Sequence, residues 1–237
     1  MTDAVRAPRR MRLTPELVAR VPPYVPEGAP DAPAIVHPTP EEYAGYVAGI
    51  VADAPPTGDV WMFAYGSLIW NPVSDAVEQR VGRAAGWHRA FCLGWTEIVR
   101  ASPDRPGLML ALDRGGECEG VVFRLPPDAI EANLGRLVRR EMFRMPSPMV
   151  PCWLDVATEK GPLRAVAFVI DPASDLYVGG LDIGEVARSL AASAGERGTM
   201  AEYLLQTVSN LEALGVRDPH LWHLQELVAA ELESAPA

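Results

Sequence analysis

"FAYGSLIWNP", residues 63–72, begins as an apolar run and ends in a tight turn. The run starts at Val60 and contains the β-branched and aromatic residues that favour a buried strand. Glycine weakens the interior of a strand and usually marks a bend or a close approach of the backbone to another group. The sequence therefore predicts a strand that breaks near Gly66, with a neighbouring group packed close to the backbone there.

Five later runs also have the composition of strands. They are bounded by Gly, Pro and Asp, and they read WHRAFCLGW, LMLALD, EGVVFRL, CWLDVAT and RAVAFVI. Several of these runs follow one another without an intervening helix, so the sheet is predicted to be largely antiparallel or mixed, and closed or strongly curled. Helices are expected around it, which makes the fold class α+β.

Helices are predicted from apolar periodicity and from capping residues. Two short ones begin with Thr-Pro-Glu, at Thr14 and Thr39, where Thr is the N-cap and Pro the first helical residue. Capping boxes are predicted for Thr39 with Glu42 and for Thr199 with Glu202. The remaining predicted helices are PPDAIEANLGRLVRREMF, Ile183 to Ala194, Thr199 to Leu214, and Pro219 to about Glu233.

Proline is concentrated in the first 56 residues, in runs such as VPPYVPEGAPDAPAIVHPTP. Such runs cannot sustain helical or ladder hydrogen bonds and are typical of an extended arm or linker. The predicted organisation is a Pro-rich N-terminal arm, residues 1–57, with one or two short helices, followed by one domain over residues 58–237.

The formal net charge of −10 argues against general binding to nucleic acid or to an anionic membrane, which requires a basic field. Cys92, Cys118 and Cys152 form no CxxC pair and have no nearby pair of histidines, so neither a disulfide framework nor a metal site is predicted. No signal peptide or membrane-spanning run is apparent, and a cytoplasmic location is expected.

Glu141 occupies an unusual position on the predicted helix after Pro126. It continues the series of an apolar stripe made of Ile130, Leu134, Leu137 and Val138. The residues expected to face solvent are Glu131, Arg136, Arg139 and Arg140. A glutamate in line with the stripe is directed towards the core or a cavity wall, where burial raises its pKa and suits it to general acid–base catalysis. The alternatives are that Glu141 turns outward to water, or pairs with Arg140 or Arg144.

These features together resemble those of the ChaC-like γ-glutamylcyclotransferases. The resemblance extends from about Val60 to Gly215, and the matching segments in chain order are FAYGSLIWNP, GWHRAFCL, EGVVFRLP, LVRREM, DPASDLYVGGL and GTMAEYLLQTV. The combination of YGSLIWNP with a downstream REM glutamate is the specific part, because neither motif suffices alone.

The resemblance implies a small mixed β-barrel flanked by helices. It also implies an enzyme that cleaves glutathione to 5-oxoproline and cysteinylglycine without a metal or organic cofactor. The general acid–base residue maps onto Glu141. Substrate binding maps onto the loop formed by Tyr65, Gly66, Ser67 and Leu68, together with the preceding Ala64, and a late pocket tyrosine maps onto Tyr203.

Two segments depart from the family pattern. The sequence FRMPSPMV follows REM where relatives usually have Gly and Tyr, and Leu108 stands where they usually have an arginine. Both lie where the cysteinylglycine half of the donor is expected, so another γ-glutamyl peptide or amine is an alternative substrate. A different class of function is a catalytically silent module that recruits a partner through the Pro-rich arm.

Overall fold

The computed structural model describes residues 10–22, 24, 35–96 and 99–235. A closed barrel forms the centre of the fold, with strand order β1-β3-β2-β4-β5. The strands are β1 (Trp61–Ala64), β2 (Glu78–Thr96), β3 (Gly107–Arg124), β4 (Met149–Thr158) and β5 (Gly161–Ile170). A short hairpin of β6 (Ala194–Gly195) and β7 (Gly198–Thr199) lies outside the barrel.

Strand β1 closes the barrel because it has partners on both sides. It pairs antiparallel with β3, with Trp61 opposite Arg124, and parallel with β5, with Trp61 opposite Ala165. The pairs β2–β3, β2–β4 and β4–β5 are antiparallel. The predicted mixed, closed sheet in an α+β fold is therefore confirmed.

One prediction was wrong because it divided a single strand into two. LMLALD and EGVVFRL, predicted as two strands, belong to the single long strand β3. Pairing with β2 continues on both sides of Gly115 and Gly116, which have φ of 104° and 65°, and the register shifts there, between Ala85 and Trp87 of β2. Glycine tolerates these positive φ values without steric cost, so the strand bends there instead of ending.

The helices agree closely with the predicted ones. They are α1 (Pro15–Val18), α2 (Pro40–Ala52), α3 (Ile130–Glu141), α4 (Ile183–Ala192), α5 (Met200–Ala213) and α6 (Pro219–Ser234). The capping box of Thr39 and Glu42 forms in full. At Thr199 only the hydroxyl caps its helix, because the Glu202 carboxylate binds Arg100 at 2.7 Å instead. Within the described residues, no helix is both long and apolar enough to span a bilayer.

The described parts of the N-terminal region pack on the domain. Leu13, Leu17 and Val21, in and around α1, are buried in one cluster with residues of α5 and α6. Ile50 of α2 is buried in a second cluster with residues of α3. Residues 1–9, 23 and 25–34 of the arm predicted over residues 1–57 lie outside the described residues, and the boundary between residues 57 and 58 stays a prediction.

The two faces of β1 pack against different partners. Trp61 and Phe63 belong to a buried cluster formed by strand residues and Tyr65, as expected for the interior of a small barrel. Met62 and Ala64 face the other way, into the cluster that contains Leu134 of α3. Helix α3 is thereby held against the strand that leads to the Tyr65–Leu68 turn.

Leu137 of α3 is fully buried in this contact. We expect Leu137→Ala to lower the free energy of unfolding by about 2–5 kcal/mol, because the lost apolar contacts leave a cavity. Denaturation in urea would measure the loss. Leu214→Ala is the matched control, since that side chain is 37% exposed and its removal should change stability by about 0.5 kcal/mol or less. Equal losses in the two variants would contradict this assignment of the core.

Candidate active site

The chain turns sharply at the end of β1. Gly66 precedes a 3-10 helix, Ser67–Ile69, and the carbonyl of Gly66 accepts a hydrogen bond from Ile69 at 2.9 Å. The Ser67 carbonyl accepts hydrogen bonds from Trp70 at 3.3 Å and from Asn71 at 2.8 Å. Both carbonyls are used inside the turn, and the N–H groups of its first residues have no partner within the turn itself.

Gly66 lies directly against the hydroxyl of Tyr203. A Cβ atom added at Gly66 would be 2.9 Å from that hydroxyl and 3.3 Å from Cδ2 of Leu110. Neither neighbour has free space to retreat, since Tyr203 and Leu110 are both buried. A side chain at position 66 would clash with these neighbours, and the group that lies against the backbone at this break in the structure is Tyr203.

Tyr65 is held at both ends by the barrel. Its hydroxyl donates a hydrogen bond to the Phe168 carbonyl of β5 at 2.9 Å, and its own carbonyl accepts one from Nε of Arg89 at 2.5 Å. Arg89 is itself buried and pairs with Asp218 at 2.8 Å. The arginine also donates to the Glu119 carbonyl. Hydrogen bonds thus fix the start of the turn to β5 and to Arg89 of β2, and Arg89 in turn pairs with Asp218, the N-cap of α6.

The ring of Tyr203 is enclosed by three side chains. Trp70 and Phe91 make edge-on contacts with it, with ring centres 6.0 Å and 6.4 Å away. The Arg100 guanidinium lies 5.8 Å from the ring centre. Arg100 is anchored by the Thr199 carbonyl and the Glu202 carboxylate. These contacts direct the Tyr203 hydroxyl towards the turn.

Glu141 is the last residue of α3, and its side chain is only 19% exposed. The apolar stripe before it is buried as predicted at Leu134, Leu137 and Val138. Burial raises the pKa of Glu141, and the neighbouring Arg140 guanidinium partly opposes that rise. The Arg140 Nε atom is 3.4 Å from a Glu141 carboxylate oxygen, so the alternative of pairing with Arg140 is realised on a carboxylate that is nonetheless largely buried.

Glu141, Tyr65 and Tyr203 form one electrostatic cluster. Burial raises the pKa of Tyr65 well above its usual range, and the charges of Glu141 and Tyr203 raise it further. Burial, followed by the charge of Glu141, raises the pKa of Tyr203 to about 12, although hydrogen bonds from Ser67 lower it in part. At neutral pH both tyrosines are therefore neutral, and Glu141 is the group of the three that can exchange a proton.

One predicted orientation was wrong. Arg140 was expected to face solvent, but its side chain is only 22% exposed and folds onto the turn. It donates to Oγ of Ser67 at 2.9 Å and to the Asn71 carbonyl at 2.5 Å. Helical periodicity could not reveal this contact, because α3 ends at Glu141 and a long side chain in its last turn can reach a neighbouring segment.

The other predicted residues also surround the turn. Ala64 is the last residue of β1 and is fully buried, while Leu68 is 7% exposed and packs in the cluster shared with α3. Both side chains belong to the buried apolar cluster shared with α3. Leu108 is fully buried in the apolar cluster that includes Tyr203, and its Cδ2 lies so near Gly94 that no Cβ would fit there.

A cavity of about 530 Å³ lies elsewhere in the molecule. Its walls include Arg89, Asp113 and Asp218 and contain none of the residues of the Glu141 cluster. Two residues of its wall contact the cluster: Arg89 donates to the Tyr65 carbonyl, and the Phe91 ring packs edge-on against Tyr203.

The three cysteines are free thiols. Burial raises the pKa of Cys92 to about 12 and that of Cys118 to about 11, and it also raises the pKa of Cys152. A thiol with so high a pKa is a poor nucleophile at neutral pH. Among the described residues, no group of three or more His, Cys, Asp or Glu side chains is arranged to bind a metal.

Comparison with known proteins identifies the family to which this arrangement belongs. The family model described as ChaC-like protein matches residues 60–231, which include the turn, α3 and α5. The chain belongs to the ChaC-like family. The resemblance read from the turn and the REM glutamate is thereby confirmed.

Curated relatives of this ChaC-like chain carry a consistent name. The glutathione-specific γ-glutamylcyclotransferase of Escherichia coli (strain K12) is 38% identical over 182 residues, which cover 76% of this chain and 78% of the relative. The human glutathione-specific γ-glutamylcyclotransferase 1 is 30% identical over 179 residues, covering 73% of this chain and 80% of the relative.

A solved structure supports the fold of the ChaC-like chain. It is a crystal structure of a selenomethionine-labelled γ-glutamyl cyclotransferase specific to glutathione from yeast. It superposes with a TM-score of 0.67 at 20% identity and covers 73% of this chain and 96% of the other. The predicted small mixed barrel flanked by helices is thus the fold of a solved γ-glutamyl cyclotransferase.

The buried Glu141 carboxylate makes a prediction about stability. Its pKa is raised in the folded state, so the fold binds this proton more tightly than the unfolded chain does. The contribution of this group to the free energy of unfolding is therefore greatest below its ordinary pKa of 4.5. It falls as the pH rises through the raised pKa of the folded state, and it stays low at higher pH. We expect Glu141→Gln, which never ionises, to raise the melting temperature relative to wild type at alkaline pH more than at acidic pH.

Thermal denaturation of both proteins across pH would measure this difference. Glu131→Gln is the control for the loss of a carboxylate, because residue 131 lies on the exposed face of the same helix. A constant difference between Glu141→Gln and wild type at all pH values would contradict burial of the carboxylate.

Proposed function

We propose that this ChaC-like protein is a γ-glutamylcyclotransferase that cleaves glutathione to 5-oxoproline and cysteinylglycine. Two lines support the proposal. The curated relatives are named as glutathione-specific enzymes of this type. The described site brings a buried carboxylate of raised pKa together with two neutral tyrosine hydroxyls beside a tight backbone turn. That placement of Glu141 is the observation on which the mechanism depends.

The reaction is an intramolecular displacement. The α-amine of the γ-glutamyl group attacks its own γ-carbonyl carbon, and a new C–N bond closes the five-membered ring of 5-oxoproline. The bond between the γ-carbonyl and the cysteine nitrogen breaks, and that nitrogen leaves as the amine of cysteinylglycine after gaining a proton. Holding the substrate in a curled conformation contributes much of the rate, because the attacking and attacked atoms belong to one molecule.

Glu141 moves the protons in this proposal. The α-amine is largely protonated at neutral pH and must lose a proton before it attacks. A carboxylate whose pKa is raised by burial accepts a proton more readily than an exposed glutamate does. The protonated Glu141 then donates that proton to the departing nitrogen. Its carboxylate takes the second proton, which the ring nitrogen must lose to become the lactam N–H, and this proton passes to the released amine of cysteinylglycine. Two protons leave the α-ammonium and two reach the departing nitrogen, so no external acid is needed and the enzyme returns to its starting state.

The Tyr65–Leu68 turn holds the substrate. The backbone N–H of Leu68 precedes the bonded N–H of Ile69 in the 3-10 helix, and Ser67 hydrogen-bonds to the Tyr203 hydroxyl beside it. Backbone N–H groups in a tight turn stabilise a carboxylate or a developing oxyanion. Tyr203, with its hydroxyl against the turn, contributes a neutral donor that stays protonated. Ala64 and Leu68 shape the floor of this binding region.

An assay of 5-oxoproline release from glutathione tests the proposal. Wild-type protein should release 5-oxoproline from glutathione, and Glu141→Gln should reduce kcat by about 10²–10⁴-fold, as is typical for loss of a general acid–base group. Chromatographic measurement of 5-oxoproline gives the rates. Glu131→Gln should retain the wild-type rate, because its side chain lies on the exposed face of α3. Full activity in Glu141→Gln would reject the mechanism.

Gly66→Ala tests the role of the turn. The added methyl group would lie 2.9 Å from the Tyr203 hydroxyl and would displace either the backbone or the tyrosine. A misplacement of about 1 Å can cost about 10²-fold in rate, so we expect kcat/KM for glutathione to fall by that order. Gly49→Ala is the control, since an added Cβ there meets no atom within 4 Å. If both variants behave as wild type, the close approach does not matter for catalysis.

Another γ-glutamyl donor is the second candidate, and Leu108 is the observation that favours it. This fully buried leucine occupies the position where an arginine was expected, so it offers no charge to the distal part of a substrate. A panel of γ-glutamyl dipeptides and amines, compared with glutathione by kcat/KM, decides between them. A donor turned over faster than glutathione would replace glutathione in the proposal and leave the chemistry unchanged.

We also propose that the protein is cytoplasmic, because free cysteines, of which the structure shows three, are typical of a reducing compartment.

A further inference from the structure

The Arg140 side chain connects the turn with the candidate base. One of its terminal nitrogens donates to Oγ of Ser67 at 2.9 Å, and the other donates to the carbonyl of Asn71 at 2.5 Å. Its Nε atom lies 3.4 Å from a carboxylate oxygen of Glu141. A single planar group therefore contacts both ends of the Ser67–Asn71 segment and the glutamate.

Arg140 is the residue of α3 that binds the Ser67–Asn71 segment through side-chain hydrogen bonds. Within the described residues, the side-chain hydrogen bonds that α3 makes to the Ser67–Asn71 segment both come from Arg140. Arg136, one turn earlier, reaches the Val73 carbonyl and Asp75 instead. The fork of Arg140 thus adds the polar link between the turn and the end of α3 to the apolar packing of Leu68 against the same helix.

The titratable groups that face Glu141 come from three elements. Arg140 lies on the same helix, Tyr65 follows β1, and Tyr203 is on α5. The two tyrosines are neutral at working pH, since the pKa of each is raised. Arg140 is therefore the charge that counteracts the cost of ionising the buried carboxylate, because an opposite charge nearby favours the ionised form.

We propose that Arg140 is a positioning residue, which holds the Ser67–Asn71 turn in register with Glu141 and supplies the positive charge that this carboxylate faces. The proposal rests on the function given above and adds a residue to it. The geometric part depends on the guanidinium fork, whereas the electrostatic part depends only on a positive charge. Two substitutions separate these parts.

Arg140→Met removes both the fork and the charge. We expect kcat for 5-oxoproline release from glutathione to fall about 10- to 100-fold through misplacement of the turn. Without the cation the pKa of Glu141 rises further, so the acidic limb of the kcat/KM profile moves to higher pH. Arg140→Lys keeps a positive charge but cannot bind two acceptors in a fork. In that variant kcat should fall while the acidic limb stays near its wild-type position.

Arg139→Met is the matched control. Its guanidinium lies on the exposed face of α3, donates to the Gly135 carbonyl and stacks 5.2 Å above the ring of Tyr43, and none of these contacts involves the turn. This variant should show wild-type kcat and a wild-type pH profile. Wild-type kcat and profile in Arg140→Met would overturn the proposal. So would equal losses in Met and Lys variants with no movement of the acidic limb in either, since that pattern indicates a purely structural role.

A measurement without substrate keeps the test independent of the proposed activity. The titration of Glu141 can be followed by ¹³C NMR of labelled glutamate side chains, with the resonance assigned by its loss in Glu141→Gln. The midpoint should lie at higher pH in Arg140→Met than in wild type or Arg140→Lys, and an unchanged midpoint would overturn the electrostatic part. If wild type releases no 5-oxoproline, the proposed function fails, while this titration still decides whether Arg140 governs Glu141.

Discussion

The two-sided pairing of β1 is the constraint on which the rest of the structure depends. The strand is bonded to β3 on one side and to β5 on the other, and all four of its residues are buried. A slip of one residue would exchange its two faces and bring the wrong side chains against α3. The register of β1 therefore fixes the residue at which the chain leaves the barrel, and with it the position of the Tyr65–Leu68 turn relative to α3.

The proposed chemistry depends on a balance between burial and charge at Glu141. Burial alone would favour a protonated carboxylate, and a short, fully formed ion pair would make it too weak a base. The 3.4 Å contact with Arg140, on a side chain 19% exposed, lies between these extremes. The neighbouring tyrosines do not upset this balance, because their own raised pKa values keep them uncharged.

Much of this could be predicted from the sequence, since the decisive features are local. The break at Gly66, the stripe ending at Glu141 and most helix boundaries follow from patterns a few residues long. One error, the division of β3 into two strands, arose because the strand bends at Gly115 and Gly116 instead of ending. The other errors arose where a side chain bonds to a residue distant in sequence. Arg140 bonds to the turn instead of facing solvent, and Glu202 binds Arg100 instead of completing a capping box. Local periodicity carries no information about such contacts.

The buried pair of Arg89 and Asp218 has a consequence for biosynthesis. Arg89 supports the Tyr65 carbonyl, and its charge is neutralised by a carboxylate 129 positions later in the chain. A buried guanidinium without its partner is costly. A nascent chain that has already assembled all five barrel strands must therefore wait for Asp218 to leave the ribosome before the support behind the Tyr65–Leu68 turn is complete.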